Sequence, residues 1–133
     1  MARRKKILIV EDNNDCRDLF VQLVNRLGYD AIEAISGMEA IGLASKLHPD
    51  LILMDLNLPE MGGVEATARL KANPSTKGIP LIISTAFHEG VYKNRALSAG
   101  AEEILEKPFS LTMLRELLGR YLTTDSEKEN CCN

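Results

Sequence analysis

The stretch Leu51–Gly63, LILMDLNLPEMGG, decides how this chain folds. Four apolar residues in a row, Leu51 to Met54, have the length and character of a fully buried strand. A strand buried on both faces belongs to a parallel sheet covered by helices. Asp55 then closes the run with a carboxylate, and Pro59, Gly62 and Gly63 shape the turn that follows. Strand ends meet water and acids cap helices, so Asp55 alone has a purely structural explanation. The flanking sequence has to say whether it has another.

Upstream, KKILIV is a buried strand and CRDLFVQLVNRLG an amphipathic helix, with Leu19, Leu23 and Leu27 at spacing four, Phe20 and Val24 beside them and Gly28 closing it. DAIEAI is a weaker strand suited to a sheet edge. SGMEAIGLASKLHPD begins on a Ser36 cap, places Ala40, Ile41, Ala44 and Leu47 on one face and stops before Pro49. Downstream, GVEATARLKAN is a helix, IPLIIST a strand, EGVYKNRALSAG a helix and EEIL a short strand. SLTMLRELLGRYL is the last helix, with Ser110 as its cap. Five strand-then-helix units predict right-handed crossovers and an α/β fold, a doubly wound parallel sheet. The flavodoxin-like (βα)5 arrangement, strand order 2-1-3-4-5, suits five such units. Residues 1–123 make the folded unit, and residues 124–133, polar and without periodicity, read as a flexible tail with no room for an output domain.

The 133 residues suit one domain, with 45% hydrophobic and 26% charged residues as in ordinary globular proteins. A net charge of −3 gives no reason to expect nucleic acid or a membrane surface as partner. No apolar run approaches a membrane span, and the run after Arg3-Arg4-Lys5-Lys6 is too short for a signal peptide. Cys16, Cys131 and Cys132 have neither metal-site spacing nor the makings of a disulfide framework, which fits a reducing cytoplasm. His48 and His88 read as surface residues at helix ends, Met54 as core and Met61 as loop packing.

In a parallel sheet all strand C-termini share one edge, where open α/β folds place their sites. Glu11 and Asp12 follow the first strand, Asp55 ends the third, Thr85 ends the fourth and Lys107 follows the fifth. Strands one and three are neighbours in the expected order, so Asp12 and Asp55 can reach a common point. Clustered carboxylates repel, and a divalent cation removes that cost. Hard oxygen ligands with room for water suit Mg²⁺. Strand five lies two steps from strand three, about 10 Å at the usual spacing, and the residue there has the long reach required. A carboxylate is a covalent nucleophile toward phosphoryl groups, and a cation with Lys107 would neutralise the transferring oxygens.

These residues resemble the receiver domain of two-component response regulators over about residues 5–122. The resemblance rests on VEDN, LILMDLNLP, STA and EKPF, four motifs in order at fitting separations. It implies that Asp55 is the phosphoacceptor, supplied by a histidine kinase or histidine phosphotransferase. It also implies that Asp12 and Asp55 bind Mg²⁺ directly, that the Asn57 carbonyl adds a ligand and that Glu11 acts mainly through water. Thr85 and Lys107 would be the hydroxyl and lysine of the switch, and the Lys107-Pro108 bond would be cis. Such a protein is a signalling module, not an enzyme, working as a monomer or weak dimer through phosphorylation-dependent protein binding. Three positions depart from the pattern. Ile104 stands where an aromatic is usual, Leu58-Pro59 and Gly62-Gly63 alter the loop, and Phe87 adds bulk after Thr85.

Other readings share parts of this pattern. A flavin protein of the same fold needs phosphate-binding donors in the first turn, which here is Glu11-Asp12-Asn13-Asn14-Asp15. An aspartate-nucleophile phosphohydrolase usually carries a second acid two residues on, where this chain has Asn57. A receiver excised from a hybrid kinase, or a receiver-like module that takes no phosphate, remains as an alternative to a stand-alone regulator.

Overall fold

The computed structural model describes residues 4–86 and 90–122. Strands and helices alternate throughout: β1 (Lys6–Val10), α1 (Asn14–Arg26), β2 (Asp30–Ala34), α2 (Gly37–Leu47), β3 (Leu51–Asp55), α3 (Gly62–Ala72), β4 (Leu81–Thr85), α4 (Gly90–Ser98), β5 (Glu103–Glu106) and α5 (Leu111–Leu122). The five strands form one parallel sheet in the order β2-β1-β3-β4-β5, as the alternation predicts.

Each strand splits its side chains between two core layers, as the period of two requires. Leu8, Val10, Ile52, Met54 and Ile83 face α2, α3 and α4. Ile7, Ile9, Leu53, Ile82 and Leu105 face α1 and α5. β1, β3 and β4 are buried almost end to end, whereas β2 sits at the edge with only Ala34 fully buried. The helices begin on local hydrogen bonds. Asn13 Oδ1 accepts from the Cys16 N–H at 2.9 Å, Ser36 Oγ from Glu39 at 3.1 Å and Ser110 Oγ from Met113 at 3.1 Å. α2 ends on exposed His48 in the left-handed region at φ 47°, one residue before Pro49.

Two helix faces are narrower than the leucine spacing suggests. In α1 the buried stripe is Phe20 and Val24, while Leu19 is 57% exposed. In α2 Ala40 and Ala44 are buried and Leu47 faces outward. The residues that α2 buries against the sheet are small ones, Gly37, Ala40 and Ala44.

The end of the sheet away from the strand C-termini is tied by Lys71. Its Nζ donates to the Ile79 carbonyl at 2.7 Å and the Lys77 carbonyl at 3.1 Å, and pairs with Glu102 at 2.7 Å. Its stem fills the space over Gly100, where a Cβ would lie 2.6 Å from Lys71 Cγ. The expectations for Phe87, His88, Cys131, Cys132 and the tail 124–133 fall outside the described residues.

Candidate functional site

The C-terminal edge of the sheet carries the polar residues, and the structure brings together every one that the sequence singled out. Glu11, Asp12, Asp55, Asn57, Thr85 and Lys107 line one open basin of about 370 Å³, with Asn13, Cys16 and Ala86. Glu11, Asp12 and Asp55 each place a carboxylate oxygen within 4.8 Å of the others. Such a cluster of hard oxygen donors can hold a metal ion.

Each side chain has a local reason for its position. Backbone pairing of β1 with β2 runs one residue past the strands, the Glu11 N–H donating to the Ala34 carbonyl at 3.0 Å. That turns the Glu11 carboxylate inward, where it is 3% exposed. It accepts from the Asn13 N–H at 3.2 Å and from Lys107 Nζ at 3.0 Å. Asp12, the next residue, is exposed. Asp55 ends β3 with its carboxylate 3.6 Å from Lys107 Nζ. Lys107 is anchored by its own N–H to the Thr85 carbonyl at 2.9 Å, and its ammonium lies 5.7 Å from the Phe20 ring centroid. The Lys107-Pro108 bond is cis. Thr85 is 1% exposed at the end of β4.

Burial pushes the Asp55 carboxyl above its ordinary value of 3.8; Lys107 and the Asn57 N–H pull it back, while Glu11 and Asp12 add to the rise. For Lys107, burial acts downward, but Asp55 and Glu11 outweigh it and hold the ammonium above its ordinary 10.5. The lysine is therefore a fixed cation shared by two carboxylates. The bond to Glu11 adds a direct contact to the water-mediated role that the family resemblance implies for that residue.

Two residues here were not legible in the sequence. Arg17 donates to the Glu11 carbonyl at 3.0 Å, to Asn14 Oδ1 at 2.6 Å and to Glu33 Oε1 at 3.1 Å, which secures the acidic turn to α1 and β2. One arginine in an amphipathic helix looks like a solvated charge until its partners are known. Ser84, inside β4, is 1% exposed, and its hydroxyl has no hydrogen-bond partner among the described residues. Ile104, in place of the usual aromatic, is half-buried against the α2–α4 core layer.

A parallel five-stranded sheet with an acid cluster, a lysine and a hydroxyl at its C-terminal edge defines a phosphorelay signalling module of the two-component type. The chain belongs to the response regulator receiver domain family, whose model matches residues 7–119. Among curated relatives, the polar-differentiation response regulator DivK of Brucella ovis is 42% identical over 118 residues, spanning 89% of this chain and 96% of that protein. Among solved structures, the receiver domain of a sensor histidine kinase from Pseudomonas aeruginosa PAO1 superposes with a TM-score of 0.85 at 30% identity, covering 92% of this chain and all of that one. That structure has magnesium coordinated in its active-site cleft. The chemotaxis protein CheY4 of Vibrio cholerae gives a TM-score of 0.84 at 29% identity over 90% of this chain. Receiver domains are signalling modules that work with histidine kinases or phosphotransferases. Among the described residues no helix is long and apolar enough to cross a membrane.

Proposed function

We propose that this chain is a stand-alone receiver, residues 1–123, that accepts a phosphoryl group on Asp55 from a phosphohistidine of a kinase or phosphotransferase. The observation that carries the proposal is the position of Asp55: a carboxylate at the centre of the edge, 3.6 Å from the Lys107 ammonium and grouped with Glu11 and Asp12.

A carboxylate oxygen of Asp55 attacks phosphorus in line with the leaving imidazole. The P–N bond breaks, its electron pair stays on the imidazole, and an acyl phosphate forms. Lys107, already shared between Glu11 and Asp55, needs only a change of partner to meet the phosphoryl oxygens. Thr85 comes to the same basin from β4 and offers its hydroxyl to a phosphoryl oxygen. Glu11, Asp12 and Asp55, with the Asn57 carbonyl, are the residues that would hold Mg²⁺, which supplies charge neutralisation at the transferring group. The acid cluster fits that ion by donor chemistry, and the magnesium in the Pseudomonas receiver supports the assignment. The likeness to polar-differentiation regulators supports a role in that kind of process, exerted through phosphorylation-dependent binding to a protein target.

Incubation with acetyl phosphate and Mg²⁺, followed by intact-mass measurement, tests the assignment. Wild type is expected to gain one phosphoryl group and Asp55→Asn none; full labelling of the variant would overturn the role of Asp55.

A further inference from the structure

Ser84 lies beside the proposed acceptor. It is the register partner of Asp55 across β3 and β4, and of Leu105 across β4 and β5. Two residues back along both strands, Leu53 and Ile82 are partners and both belong to the core layer under α1 and α5. Alternation therefore points Ser84 and Asp55 to that same side of the sheet. Adjacent strands are about 4.8 Å apart, within reach of a short hydroxyl and a carboxylate that each turn about one torsion. Thr85, the next residue, follows Leu81 and Ile83 to the opposite layer. β4 thus brings one hydroxyl to each side of the Asp55 strand end. The family reading uses one of them.

The Ser84 hydroxyl is 1% exposed and unpaired among the described residues. A buried donor without an acceptor is unfavourable, so any state that gives it one is favoured over a state that does not. The resting state commits Asp55 to Lys107 and the Asn57 N–H. We propose that Ser84 is a positioning residue for Asp55, its hydroxyl becoming a donor to the Asp55 carboxyl when Lys107 turns to the phosphoryl group. This rests on Asp55 as acceptor. The bond would exist in the phosphorylated state and not in the resting one, so it would fix the plane of the acyl phosphate and favour its formation and persistence.

The test compares wild type, Ser84→Ala and Ser84→Thr after labelling with acetyl phosphate and Mg²⁺, following intact mass during labelling and after the donor is removed by desalting. Ser84→Ala is expected to label more slowly and lose its adduct faster, by roughly three- to tenfold, the effect of one neutral hydrogen bond. Its unlabelled melting temperature should not fall, because the unpaired group has been removed. Ser84→Thr, which keeps the hydroxyl, should restore the adduct lifetime. Wild type that takes no label would overturn the acceptor assignment and this proposal with it. Labelled wild type with an Ala variant of equal adduct lifetime would overturn the role of Ser84 alone. So would an Ala variant that melts lower and a Thr variant that fails to restore the lifetime, the outcome of a purely structural serine.

Discussion

Burial works against the charge of Asp55, whose side chain is 12% exposed at its own strand end. Its folded pKa lies above the ordinary 3.8, so ionisation is harder in the folded chain than in the unfolded one. The contribution of such a group is fully present below its unfolded pKa and is lost as the pH rises through the folded value. In metal-free buffer Asp55→Asn, which carries no charge at any pH, should therefore be more stable than wild type at pH 7. That advantage should shrink as the pH falls toward 3.8, and urea midpoints across the range measure it. An advantage that stays constant with pH would mean that the charge of Asp55 is not its source. Lys107 keeps a partner in the variant, because Glu11 remains 3.0 Å away.

Between β3 and α3 the chain has little freedom. A Cβ at Gly63 would lie 2.7 Å from the Asp55 carbonyl and 2.8 Å from Leu56 Cα, both backbone atoms. The sequence suggests that the Gly62-Gly63 pair only shapes a loop; in the structure Gly63 also sets how closely α3 approaches the end of β3. Gly63→Ala should cost about 1–3 kcal/mol, the usual range for overpacking, read as a lower urea midpoint. Gly42, exposed in α2 with nothing near its missing Cβ, is the control: Gly42→Ala should stabilise by about 0.5–1 kcal/mol. Equal effects at the two positions would contradict the close approach. Elements of this kind were largely legible beforehand, since buried runs, helical spacing and the Asn, Ser and Gly end signals are local. The exposed face of Leu19 was not, because spacing says which residues share a stripe but not where a neighbouring helix lies. The closeness of Gly63 to β3 also depends on a contact between elements, which turn chemistry alone does not contain.

For the whole molecule, the site was legible as a convergence, because a parallel sheet sends every strand end to one edge. The interior pairing of Glu11 with Lys107 was not, since it joins residues 96 apart through side-chain directions that only the packed fold sets. The three clustered acids make the metal-free fold pay a repulsive cost, and Mg²⁺ should relieve it. Added Mg²⁺ is expected to raise the melting temperature by mass action, about 2.7 kcal/mol at a hundredfold excess over Kd. Asp12→Ala should melt higher than wild type without Mg²⁺ and lose most of the response. Equal gains in both proteins would place the cation elsewhere. The spacing of the cluster carries a further consequence for the medium around it. Carboxylate oxygens within 4.8 Å of one another are closer than the Debye length of about 8 Å at physiological ionic strength, which drops to about 3 Å only near 1 M salt. Ordinary swings in monovalent salt therefore reach the basin only weakly, and a divalent ion must enter it to be felt. If the cluster holds such an ion, the basin would follow the free concentration of that ion while staying largely indifferent to monovalent salt.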